Sequence, residues 1–198
     1  MLLQEHKIII ITAPSGAGKT SITRYLLNKY PQLSFSISAT TRSARGNEQN
    51  GIEYYFISVD AFQQKIAEDA FIEWEMVYEG KYYGTLKSEL ERIWSQGKTP
   101  VLDIDIKGAI HVQQQFTKNS LSIFIEPPSV EELKKRLESR GTETPENIQT
   151  RLSKAAYEIS FKDQFNKIII NADLVKACAE TETVIKEFLG NKLNGEIK

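Results

Sequence analysis

The sequence predicts an α/β fold in which a parallel sheet is covered by helices on both faces. Three observations carry this. Runs such as "IIII" (8–11) and "SIFI" (122–125) are apolar without alternation, as strands buried on both faces must be. Helical segments separate these runs, the rhythm of βαβ units. The 198 residues, 40% hydrophobic and 26% charged, form an ordinary globular composition able to bury one sizeable core.

In chain order, a strand over about 7–12 runs into a glycine turn and a helix from Lys19 to Lys29, closed before Pro31. "LSFSIS" (33–38) alternates and predicts a second strand. "ATTRSARGNEQNGIE" (39–53) is polar and basic, a loop too long to be idle. "YYFIS", "FIEWEMVYE" and "KYYGT" are aromatic, β-favouring runs, with a helical "VDAFQQKIAED" between the first two. Residues 35–95 thus read as a β-rich module inserted into a core of about 1–34 and 96–190. Then come a helix near 85–96, a strand "TPVLDIDI" (99–106) and a strand "LSIFIEPP" stopped by Pro127 and Pro128. "SVEELKKRLESRG" is a helix with an N-cap serine, acidic first turn and Gly141 past its end. A helix from Pro145 to about Lys162, a strand in "KIIINAD" and a helix to Phe188 complete the chain.

The net charge of −1 offers no general attraction to nucleic acid or anionic membrane, so phosphates would have to be held by local arginines. A single cysteine, Cys178, allows no intrachain disulfide and fits a reducing compartment. No apolar run approaches the roughly 20 residues of a membrane span, and "MLLQEHK" lacks a signal-peptide pattern. The expectation is a cytoplasmic protein. His6 and His111 have no partner at metal-ligand spacing, and Trp74 and Trp94 are expected to serve packing.

Ala13-Pro14-Ser15-Gly16-Ala17-Gly18-Lys19-Thr20, followed by Ser21, matches G-x-x-x-x-G-K-[ST] except for alanine at its first position. The glycines let successive backbone N–H groups converge on an anion at a helix N-terminus. Lys19 would reach the β/γ-phosphates and Thr20 would offer a hydroxyl to Mg²⁺. Asp103 and Asp105, two apart and so on one face of the expected strand, need a cation nearby, which a Mg²⁺–phosphate site would supply. Arg42 and Arg45, with Glu48 to orient them and Tyr54 beyond, could clamp a second phosphate.

The run Thr40-Thr41-Arg42, Arg45, Glu48, Gly51, Tyr54, Phe56 resembles the signature of the guanylate kinase family. "FIEWEMV", "YYGT", "LDIDIKGA" and "PPSVEELKKRLESRGTET" resemble that family too, in the same order, over roughly residues 7–190. The resemblance implies transfer of phosphate from ATP to GMP, and to dGMP; Mg²⁺ is expected at Thr20 and Asp103 through phosphates and partly through water, with the metal and acceptor roles of Asp103 and Asp105 left open between them. It implies a GMP site of Ser38, Arg42, Arg45, Glu48, Tyr54, Glu73, Tyr83 and Thr85, with Asp103 and Asp105 beside it. Arg136, Arg140 and Arg151 match arginines of the ATP side and a helical lid (about 136–152), and Asn171 a residue near the adenine. Lys19, Arg42, Arg140 and Arg151 would act on the transferring group. The partners implied are small molecules only, the chain being a monomer or homodimer. One departure is visible: "EMVYEGK", between Trp74 and Tyr82, is one residue longer than the family's usual link, leaving the path there open.

The chemistry supports guanine in its own right. Guanine shows adjacent N1–H and N2–H₂ donors that a carboxylate such as Glu73 can accept together, while Ser38 donates to O6. Adenine would leave that carboxylate facing a lone pair. Two rivals remain at this level: a guanylate-kinase-like scaffold that binds phosphorylated peptides, and a kinase of another small phosphorylated acceptor. Intact Lys19, Thr20 and both aspartates oppose the first; Ser38 and Glu73 oppose the second.

Overall fold

Ile8–Thr12 forms β1, buried along its whole length at the centre of a five-stranded sheet. The computed structural model describes residues 6–139 and 144–193, apart from the side chains of Tyr78, Asn191 and Lys192. Around β1 lie β2 (Leu33–Phe35), β7 (Thr99–Asp103), β8 (Ser120–Glu126) and β9 (Lys167–Ile170), in the order β2-β7-β1-β8-β9. Every pairing in this sheet is parallel. The isoleucines divide between two cores. Ile9 and Ile11 pack with Ile22 and Leu26 of α1 (Lys19–Lys29) and Ile185 of α7 (Leu174–Leu189). Ile8 and Ile10 pack with Leu90 of α3 (Lys87–Ser95) and Val112 of α4 (Ile106–Gln115). Helices therefore cover both faces, as the unalternating strands require.

A second sheet, in the order β4-β3-β6-β5, is built from β3 (Ala39–Thr40), β4 (Tyr55–Phe56), β5 (Phe71–Tyr78) and β6 (Lys81–Leu86). It has its own apolar cluster of Ala39, Phe71, Leu86 and Phe62 of α2 (Val59–Ala67). The chain leaves the central sheet at Ser36–Ser38 and returns through α3.

Three sequence-based expectations change here. The strand expected over 33–38 stops at Phe35, and residues 36–38 link it to β3, which begins at Ala39 in the second sheet. The strand expected over 99–106 ends at Asp103, so Asp103 and Asp105 do not share a strand face. Asp105 instead caps α4, its side chain accepting from Gly108 N at 2.8 Å, and this helix was not foreseen. The path left open between Trp74 and Tyr82 is the β5–β6 hairpin. The β5–β6 register slips by one between Met76 and Tyr78, and the turn closes at Gly80, whose φ of 68° suits glycine.

α5 (Val130–Ser139) is capped by Ser129, whose hydroxyl accepts from Glu132 N at 3.1 Å. It packs against α6 (Pro145–Ile159) through Leu133, Leu137, Ile148 and Leu152. Helix α6 stops short of the expected Lys162, which opens a short 3₁₀ turn. Arg140 and Gly141 lie outside the described residues. Among the described residues, no helix is long and apolar enough to cross a membrane.

Candidate active site

At the carboxyl end of β1 the chain turns through Ala13–Gly18 and enters α1. Gly16 and Gly18 have φ of 93° and 99°, values that strain any side chain, and Gly18 is the N-cap of α1. Gly18 has a second reason to lack a side chain: an added Cβ would lie 2.1 Å from Asn171 Nδ2. The Asn171 amide, buried, donates to Ala17 O at 2.7 Å. Asn171 therefore braces the cradle from beneath. Arg136 stands next to it, donating to Asn171 O at 2.9 Å. Arg151 reaches from α6 to the cradle and donates to Ser15 Oγ at 2.5 Å.

The cradle forms one wall of a cleft of about 450 Å³. Lys19, Thr20 and Ser21 line it with Pro14, Ser15 and Gly18; buried Ala17 does not reach it. Asp103 and Asp105 line its floor, and Lys19 forms an ion pair with Asp103. Ser38, Tyr54, Glu73 and Tyr83 form the facing wall. The cleft thus lies at the carboxyl ends of the parallel strands, where ligands of open α/β sheets bind.

Glu73 owes its placement to an irregularity. The β5–β6 register shifts by one between Phe71 and Glu73. This separates Phe71, which packs in the second sheet's own cluster, from Glu73, which lines the cleft, although unbroken alternation would put both on one face. Its carboxylate, 6% exposed, accepts from the Thr85 hydroxyl at 2.6 Å. Burial pushes the Glu73 carboxyl up to about 7, with the charges of Asp105 and Glu75 adding to the rise and the Thr85 hydrogen bonds opposing it. Thr85 is fully buried and acts on the cleft only through Glu73. Two glycines make room. A Cβ on Gly84 would stand 2.8 Å from Glu73 O, and one on Gly108 would stand 2.7 Å from Glu73 Oε2.

The arginine loop is organised by Glu48. Arg42 donates to its two carboxylate oxygens at 2.5 and 2.8 Å, and Arg45 N donates to it at 2.8 Å. Arg42, foremost, together with the Arg45 backbone N–H, holds the Glu48 carboxyl down at about 2. The Arg42 guanidinium lies 4.8 Å from the Tyr54 ring centre, and Tyr54 meets Tyr83 edge-on at 6.0 Å. Burial pushes the Tyr54 hydroxyl up. Arg42 thus stands behind the tyrosines of the cleft wall, and the Arg45 side chain is exposed. Sequence reasoning missed Gly108, and also Lys154 and Glu158, which line the cleft from α6 with 3.6 Å between their charged groups. The signal for the latter pair was their i,i+4 spacing on the helix that carries Arg151. His6 is exposed, its ring stacked on that of Trp94 with 4.9 Å between ring centres.

A parallel sheet whose central strand ends in a glycine cradle opening a helix defines a P-loop α/β domain, a class that grips phosphate groups. Comparison with known proteins narrows this. The guanylate kinase family model matches residues 5–188. The chain is 50% identical to a guanylate kinase of Bacteroides fragilis over 94% of its length and 91% of that protein. With a guanylate kinase of Chlorobium chlorochromatii it shares 47% identity, covering 93% and 96% of the two chains. The crystal structure of guanylate kinase from Anaplasma phagocytophilum superposes with a TM-score of 0.75 at 28% identity, covering 95% of this chain and 88% of that one. The chain belongs to the guanylate kinase family.

Proposed function

We propose that the chain transfers the γ-phosphoryl group of ATP to GMP, giving ADP and GDP. The observation that carries this reading is the pairing, across one cleft, of a phosphate cradle with a buried carboxylate, Glu73, held by Thr85. On this reading the cradle N–H groups, Lys19 and Arg151 hold the donor phosphates. Arg136 and Asn171 lie on the same side, and Arg140 joins them by resemblance alone. Arg42, Arg45, Tyr54 and Tyr83 hold the acceptor phosphate, with Glu48 fixing the arginines. Glu73 accepts the guanine N1–H and N2–H₂ donors while Ser38 donates to O6. In-line transfer requires two anions brought together and their charge neutralised, with no covalent nucleophile.

Thr20 and Asp103 offer the hard oxygen donors that Mg²⁺ prefers. Among the described residues no three acidic, His or Cys groups could cage a metal, so the ion would be carried mostly by phosphates and water. Bound there, Mg²⁺ would neutralise charge on the β- and γ-phosphates. The same reading divides the chain into a core (about 1–34 and 96–190), a GMP-binding module (35–95) and a lid (136–152), acting in the cytoplasm. dGMP shares the base and phosphate that these residues hold and is an expected substrate.

A coupled assay of ADP formation with GMP, dGMP, AMP, UMP and CMP tests the proposal. GMP and dGMP should support turnover, and the others should lag by several orders of magnitude. A preference for AMP or a pyrimidine would refute the guanine assignment. ADP formation indifferent to any acceptor would refute phosphotransfer.

A further inference from the structure

Glu89 lies on α3 and does not line the cleft, yet its side chain is only 1% exposed. Its carboxylate accepts from four donors. Oε1 takes Ile37 N at 3.0 Å and Arg92 Nη2 at 2.7 Å; Oε2 takes the Tyr55 hydroxyl at 2.9 Å and Arg92 Nε at 2.9 Å. A carboxylate this buried is tolerated only when so fully satisfied, which leaves the geometry little freedom. The Arg92 guanidinium covers the group from the solvent side. Burial, with Glu89 as acceptor, pushes the Tyr55 hydroxyl up, so it stays a donor.

Two of these donors adjoin cleft residues. Ile37 precedes Ser38, and Tyr55 follows Tyr54; Ser38 and Tyr54 both line the cleft. The backbone closes the ring, since Tyr55 N donates to Ser38 O at 2.9 Å. Ile37 also sits where the chain leaves the central sheet, and α3 where it returns. One carboxylate therefore ties together both connections between the two sheets.

We propose that Glu89 is a positioning residue for the acceptor nucleotide: by fixing Ile37 and Tyr55 it sets the separation of Ser38 and Tyr54. This rests on reading the cleft as a GMP site. Base and phosphate are a fixed distance apart in one nucleotide, so the groups that grip them must keep a matching separation. Slack there weakens acceptor binding. It leaves donor binding, and transfer from the filled site, largely untouched.

The test compares the unmodified chain with Glu89→Gln and Tyr55→Phe, varying GMP and ATP separately and recording thermal midpoints. Gln keeps the shape and an acceptor for Ile37 N but turns an N–H₂ group toward Arg92. KM for GMP is expected to rise about tenfold in Glu89→Gln and about threefold in Tyr55→Phe, the order of losing charged hydrogen bonds. KM for ATP and kcat should stay within about twofold. An unchanged KM for GMP overturns the proposal, and so does an equal rise in both KM values, which would mark general loosening. If Glu89→Gln does not fold, Tyr55→Phe decides by the same criteria. Absence of GMP-dependent ADP formation in the unmodified chain would instead refute the underlying reading, and the proposal with it.

Discussion

Replacing Glu73 by Gln should weaken GMP use while making the protein more stable above neutral pH. Its carboxyl titrates at about 7 in the folded chain against an ordinary value of 4.5, chiefly because it is buried. Between these values the folded state holds a proton that the unfolded state has lost. Stability therefore falls as pH rises from about 4.5 to about 7 and levels off above that. At about 1.4 kcal/mol per pH unit, the ionised carboxylate costs the fold about 3 kcal/mol at pH 8. Gln carries no such cost and can still accept the Thr85 hydroxyl. At pH 8 its midpoint should lie roughly 6–10 °C higher by calorimetry, with little difference at pH 4.5. Function moves the other way, since only the carboxylate accepts both guanine donors. KM for GMP should climb about tenfold per pH unit below 7 in the unmodified chain. The GMP phosphate titrates near pH 6 as well, so the quantity to plot is the ratio of KM in the unmodified chain to KM in Glu73→Gln, in which the phosphate cancels. A flat ratio from pH 5.5 to 8, or a Gln variant no more stable at pH 8, would refute the reasoning.

Lys19→Ala removes the cation between cradle and Asp103; turnover should fall at least about 10³-fold with far-UV circular dichroism unchanged. Gly108→Ala places a methyl group 2.7 Å from Glu73 Oε2 and should raise KM for GMP about tenfold while sparing KM for ATP in the same assay. Asn171→Ala leaves Ala17 O without its 2.7 Å partner; KM for ATP should rise several-fold, with a thermal midpoint lower by a few degrees.

What could be foreseen in the sequence follows from which forces are local. The boundaries of α1 were legible because a continuous apolar strand, two glycines and a following proline all bear on the same few residues. Helix α4 was not, because "VLDIDI" alternates like a strand. Its capping aspartate and the helical spacing of Ile106, Ala109 and Val112 outweigh that pattern once burial is counted. The alternation of "LSFSIS" continued across a boundary set by long-range bonds, Ser36 N to Val101 O and Ile37 N to Glu89. In the cleft, the cradle was legible from motif chemistry alone. Ser38 and Glu73 came from the family resemblance, since nothing local distinguishes Glu73 from the polar phase of a strand. The register slip that turns Glu73 inward, the bare face of Gly108 and the fourfold bonding of Glu89 depend on segments far apart in the chain, and no local pattern announces them.

The four isoleucines of β1 have a consequence for how this chain tolerates change. Identical side chains face both cores, but deleting one would leave three isoleucines for four buried places and bring Thr12 into the place of Ile11. The cradle would also be drawn back along the strand axis by about 3.3 Å, the rise of one residue. Strand β1 is thus a ruler as much as a wall. Its composition secures the hydrophobic cores, its length sets how far the phosphate-binding turn projects beyond Asp103, and a missing residue would be felt in both.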